Sequence, residues 1–153
     1  MQCELQSKKK QVPKMKNKAK ILVIDDEEVV RLSYFRSLSG ERCKVELAES
    51  GKDALQAMSQ QAFDVVLLDL RMPEMDGLVV LKHIKQQWPD SEVIVITGYP
   101  AIDTAKQAVA LGAYGYLAKP VGPDEVINAA NDAMTHKRWT MRSEPMQLCT
   151  GTH

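Results

Sequence analysis

Cysteine is scarce in this chain. Three occur in 153 residues, Cys3, Cys43 and Cys149, odd in number and far apart. With no Cys-x-x-Cys and no Cys/His group of zinc spacing, neither a disulfide-held miniprotein nor a zinc module fits. His83, His136 and His153 are isolated and read as surface residues. Long apolar runs are missing too: "ILVI" (21–24), "VVLL" (65–68) and "VIVI" (93–96) have four residues each, far short of the ~20 a membrane helix needs. No apolar stretch of about 7–15 residues follows the N-terminal lysines, which excludes a secretory signal. Neither G-x-x-x-x-G-K-[ST] nor G-x-G-x-x-G occurs, which argues against a nucleotide-binding loop. A reduced, cytoplasmic protein is expected.

Charge of one sign is not in excess overall, since 20 basic residues balance 20 acidic ones. It is unevenly placed, however. Residues 1–20 carry seven lysines and one glutamate, 21–135 carry ten basic against eighteen acidic residues, and 136–153 return to +2. The body is acidic behind a basic leader, residues 1–19, which reads as a solvated, disordered tail. A nucleic-acid module would need a recognition helix or interleaved aromatics, and the leader offers neither. At 44% hydrophobic and 26% charged, the remainder has the composition of one globular domain.

From Lys20 onward short β-rich runs alternate with segments of helical period. "KILVID" (20–25) is a continuous apolar run, as expected of a strand covered on both faces. Asp25 or Asp26 is predicted to cap a helix carrying Val30, Tyr34 and Leu38 on one stripe, ended by Gly40. "CKVELA" (43–48), "DVVLLDL" (64–70), "EVIVIT" (92–97) and the shorter "AYGYLA" (113–118) are the other strands. Helices open at Ser50-Gly51, after the loop 71–77, at 101 and at Pro123; Pro89 and Gly112 stop two of them. Five β-α units imply an α/β fold: a doubly wound, five-stranded parallel sheet of order 2-1-3-4-5. Beyond Trp139 no period remains, and 139–153 is expected to be disordered.

In such sheets ligands bind beyond the carboxyl ends of the strands, where strand order reverses. Asp25 and Asp26 end strand 1, Asp69 ends strand 3, Thr97 ends strand 4 and Lys119 follows strand 5. Each alone has an ordinary explanation as a cap, a turn residue or a solvated side chain. Together they put three carboxylates, a hydroxyl and an ammonium on one rim. Two carboxylates ~5 Å apart repel by roughly 3 kcal/mol at an effective dielectric near 20, so three either raise a pKa or recruit a cation. Oxygen donors alone favour Mg²⁺, whereas zinc would want nitrogen or sulfur.

The blocks "ILVIDDE", "LLDLRMPEMDG", "VIVITGY" and "GAYGYLAKP" resemble, in order and over about residues 20–136, the receiver domain of bacterial two-component response regulators. The expected body is then a flavodoxin-like, chemotaxis-regulator-like receiver over 20–138, and "ITGYPAIDTA" is most similar to receivers of the NtrC-like type. The resemblance implies that Asp69 is the phosphoacceptor, with Asp25, Asp26, Asp69 and the backbone carbonyl of Arg71 holding Mg²⁺. It further implies that Thr97 and Tyr116 are the switch pair, that Lys119 contacts the phosphoryl group, and that Lys119–Pro120 is a cis peptide. The implied partners are a sensor histidine kinase or histidine phosphotransfer protein, and a second copy joined through 101–136. A stand-alone receiver that is not itself an enzyme, or a relay or phosphate sink, is the expected role. The rival reading, an aspartyl-phosphate phosphatase, would want an Asp two residues after the nucleophile, where this chain has Arg71. Arg71 and Tyr99, each two residues past a site residue, suggest slow loss of phosphate.

Overall fold

The computed structural model describes residues 18–151, with side chains to Lys137. The apolar runs form strands β1 (Ala19–Ile24), β2 (Cys43–Ala48), β3 (Val65–Leu68), β4 (Glu92–Thr97) and β5 (Gly115–Ala118). Between and after them lie helices α1 (Glu28–Leu38), α2 (Gly51–Gln60), α3 (Gly77–Gln87), α4 (Ile102–Ala110) and α5 (Pro123–Gly151). All four strand pairings are parallel and the order is β2-β1-β3-β4-β5, the doubly wound order expected from the sequence.

Side chains alternate across a strand, which splits the core in two. Ile21, Val23, Val65, Leu67, Ile94 and Ile96 face α1 and α5, meeting Tyr34, Leu38, Val126 and Ala130. Leu22, Ile24, Val66, Leu68, Val93 and Val95 face the other layer, with Met58 of α2, Leu81 and Ile84 of α3, and Ala108 of α4. Each such side chain contributes about 1.5–3 kcal/mol when fully buried. This two-sided burial explains why β1, β3 and β4 lack the polar alternation that β2, at the sheet edge, keeps with Lys44 and Glu46.

Local signals set most boundaries. Ser50 accepts from the Asp53 N–H at 3.1 Å and caps α2, and Asp76 caps α3 through the Leu78 N–H. Gly112 takes φ +105° after α4, the left-handed turn that glycine permits. The cap of α1 differs from expectation. Glu27 is its N-cap, without a side-chain hydrogen bond, while Asp25 turns back to accept from the Glu27 N–H at 2.9 Å. The carboxylate is drawn inward by a charged partner and is not spent on the helix end.

α5 also differs, since its backbone is helical to Gly151 where disorder was expected from residue 139. Extending a formed helix avoids the costly nucleation step, and Met, Arg, Glu, Gln and Leu extend it well even with Pro145 withdrawing one donor. Residues 152–153 lie outside the described residues. So does the leader up to residue 17, and Ala19, placed in the leader from sequence, already belongs to β1.

One glycine positions the rim. A Cβ on Gly77 would lie 2.4 Å from Leu70 Cα and 2.9 Å from Asp69 O, so the start of α3 can approach the end of β3 only without a side chain. Gly77→Ala is therefore expected to cost about 1–3 kcal/mol, measured by urea unfolding. An unchanged midpoint would show that the loop yields freely.

Candidate functional site

β1 and β3 pair with Ile24 opposite Leu68, so the next residues, Asp25 and Asp69, leave the sheet side by side. The Asp69 N–H donates to Ile24 O at 3.0 Å, and the Asp25 N–H donates to Ala48 O at 3.1 Å. Thr97 ends β4 opposite Ala118, and the Lys119 N–H donates to Thr97 O at 2.8 Å. The sheet ladder thus carries Asp25, Asp69, Thr97 and Lys119 to one rim at the reversal of strand order. Lys119–Pro120 is cis.

Asp25, Asp69 and Thr97 are buried while Asp26 is exposed, which gives the site an inner wall and a solvent side. Oxygens of Asp25, Asp26 and Asp69 lie within 4.8 Å of one another. Lys119 Nζ bonds Asp25 Oδ2 at 2.8 Å and stands 3.6 Å from Asp69 Oδ2 and 3.8 Å from Glu27 Oε1. One ammonium cannot neutralise that many carboxylates. Burial first, and then the charge of Asp25, push Asp69 up to about 6, although Lys119 and the Arg71 N–H pull it down. For Lys119, burial works to lower the pKa, but the hydrogen bond and charge of Asp25, together with Asp69, outweigh it and hold the ammonium above its ordinary value. The donor set fits a hard divalent cation: three carboxylates, no sulfur or imidazole among them, and one open side.

The remaining residues singled out from sequence fall around this centre. The Arg71 N–H donates to Asp69 Oδ1 at 3.3 Å, and its guanidinium lies 4.0 Å over the ring of Tyr99. The Tyr99 N–H in turn donates to Thr97 Oγ1 at 3.1 Å. Tyr116 is half-buried, and its hydroxyl accepts from the Ala101 N–H at 3.3 Å, supplying the cap that α4 lacks in its own side chains. His136 is at the other end of β4, paired with Glu92. Three neighbours were not foreseen: Glu27 beside Lys119, Arg31 donating to Asp25 O at 2.7 Å, and Tyr34, which lines a groove together with Lys119. The sequence signal for Tyr34 was its place on the buried stripe of α1, which indicated core and concealed the polar end.

The family model for the response regulator receiver domain matches residues 21–131. The chain belongs to that family, the phosphoacceptor component of two-component systems. Similar curated proteins include the DNA-binding transcriptional regulator NtrC of Proteus hauseri, 38% identical over 121 residues, covering 79% of this chain and 26% of that protein. The transcriptional regulatory protein ZraR of Klebsiella oxytoca is 39% identical over 118 residues, covering 77% and 27%. Among solved structures, NtrX from Brucella abortus matches with a TM-score of 0.78 at 33% identity, covering 84% of this chain and 30% of that one. A receiver domain protein from Clostridium thermocellum matches at 0.74 and 35%, covering 80% and 98%. The chain spans about a quarter of the length of these curated relatives. Among the described residues no helix is long and apolar enough to cross a membrane.

Proposed function

We propose that Asp69 accepts a phosphoryl group from the phosphohistidine of a kinase or phosphotransfer protein, with Mg²⁺ held by Asp25, Asp26, Asp69 and the Arg71 carbonyl. The observation that carries this reading is the buried Asp69 carboxylate, within 4.8 Å of two other acids and 3.6 Å from an ammonium. An Asp69 oxygen attacks phosphorus in line, the O–P bond forms and the P–N bond to the donor histidine breaks. Such a transition state is loose, so the protein mainly positions groups and neutralises charge. When bound, Mg²⁺ would offset charge on the phosphoryl oxygens. Lys119 covers one oxygen from the other side, and the Thr97 hydroxyl donates to another once it turns from the Tyr99 N–H. Tyr116 then moves, and the surface of α4, β5 and α5 changes for a partner or a second copy; Ile102, Val109 and Tyr114 already expose apolar area there.

The protein is an acceptor and not a turnover enzyme, works in the cytoplasm, and passes its signal by contact or relays the phosphate. Incubation with Mg²⁺ and acetyl phosphate is expected to add one phosphoryl mass, on Asp69. No adduct, or an adduct elsewhere, would overturn the reading, and steady turnover of small phosphate esters would replace it with a phosphatase.

The Arg71–Tyr99 stack bears on lifetime. A cation over an aromatic face at an exposed site is worth about 0.5–1 kcal/mol, and this pair joins the loops after β3 and β4 across the path of attacking water. Arg71→Ala and Tyr99→Ala are each expected to hasten dephosphorylation about two- to fivefold, followed as decay of the adduct. Unchanged decay in both would remove the stack from the mechanism.

A further inference from the structure

Tyr34 is a buried polar group for which the phosphotransfer reading has no use. It is 5% exposed on α1, on a stripe otherwise made of Val30 and Leu38. Among the described residues its hydroxyl has no hydrogen-bond partner. A buried hydroxyl left unpaired costs about 1–3 kcal/mol, and such groups call for a partner in some state of the protein. Its ring lines an apolar groove between α1 and the turn after β5, together with Val30, Ser33, Pro120, Val121 and Lys119. Lys119 therefore belongs to two neighbourhoods, the carboxylate rim and this groove.

The charges that Tyr34 feels are those of Lys119, Asp25, Asp69 and Glu125 of α5. Burial raises its pKa, Lys119 opposes and the three acids add to the rise, so the phenol keeps its proton. A neutral hydroxyl donates one bond and still accepts another. With no donor bonded to it, its lone pairs are free for an ammonium. Lys119 has three N–H donors and one short acceptor, Asp25 Oδ2 at 2.8 Å. Asp69 Oδ2 is 3.6 Å from the same ammonium, so anionic oxygens carried on Asp69 would compete with Asp25 for it and draw it out of that bond.

We propose that Tyr34 is a positioning residue for Lys119: its hydroxyl accepts a hydrogen bond from the ammonium when Lys119 leaves Asp25, and holds it where it can reach the oxygens carried on Asp69. A neutral acceptor suits this role because another carboxylate would trap the ammonium with a charge-assisted bond. The inference rests on the phosphoacceptor reading of Asp69.

Tyr34→Phe keeps the ring and removes only the oxygen, so it separates positioning from packing. The Lys119 ammonium is followed by nitrogen NMR in protein given Mg²⁺ and then beryllofluoride, with both affinities measured. In Tyr34→Phe the ammonium signal is expected to shift and its protons to exchange faster. Beryllofluoride affinity is expected to fall about three- to tenfold, while Mg²⁺ affinity stays unchanged. The same ammonium signal and beryllofluoride affinity in both proteins would overturn the proposal and leave the phosphoacceptor reading intact. An equal fall in Mg²⁺ affinity would mean that the phenol only packs, and would overturn it as well. A wild-type protein that binds neither Mg²⁺ nor beryllofluoride would overturn the phosphoacceptor reading and this inference together.

Discussion

Asp69→Asn is expected to abolish phosphoryl uptake, seen as no mass gain with acetyl phosphate, and to make the protein more stable at pH 7 when no divalent cation is present. Both effects come from one strained carboxylate. Asp69 is raised from 3.8 to about 6 in the folded protein, chiefly by burial and the charge of Asp25. Because the folded value lies above the unfolded one, the folded state binds more protons between them, and stability falls as pH rises from about 4 to about 6. A shift of this size corresponds to at most about 3 kcal/mol, and solvent on the Asp26 side reduces it to about half. Asparagine carries no charge and escapes the penalty. Urea unfolding at pH 4 and pH 7 should show wild type losing stability across that interval relative to the variant, and parallel curves would deny that Asp69 is held at an energetic disadvantage.

The second large effect belongs to Lys119→Ala, and its sign is opposite. Asp25 is 2% exposed and its short contact with a cation is the 2.8 Å bond to this ammonium. Removing one member of a buried pair typically costs 3–5 kcal/mol. The open side of the site places this case near 3 kcal/mol, or roughly a 10 °C drop in Tm for a domain of this size. Asp69 would lose the charge that now lowers its pKa and titrate above its present value of about 6. Added Mg²⁺ should recover much of the loss by replacing the missing charge. A Tm equal to wild type in metal-free buffer would show that Asp25 does not depend on this bond.

The pairing of Lys119 with Asp25 joins residues 94 positions apart, yet both could be placed from sequence because each directly follows a strand. Strand ends are legible where apolar runs stop, and parallel order carries every carboxyl end to the same rim. What stayed hidden depends on side-chain direction. Asp25 looked like a cap for α1, and only the nearness of Lys119 turns it inward. Glu27 and Arg31 reach the site from the N-cap and the first turn of α1, where charged residues ordinarily face water. Tyr34 was legible as core through its spacing with Val30 and Leu38, but periodicity says nothing about where a hydroxyl ends. The length of α5 escaped because "TMRSEPMQLCTG" has no apolar stripe, and a helix that continues from a packed one does not need its own.

The borrowed cap on α4 has a consequence for how a signal would leave the site. Its opening turn is held from outside by one phenol on the sheet's edge, so rotation of that ring would release the Ala101 amide and let the turn fray. Message and local melting would then be the same event, and amide hydrogen exchange around Ala101 should report activation before any change of assembly does.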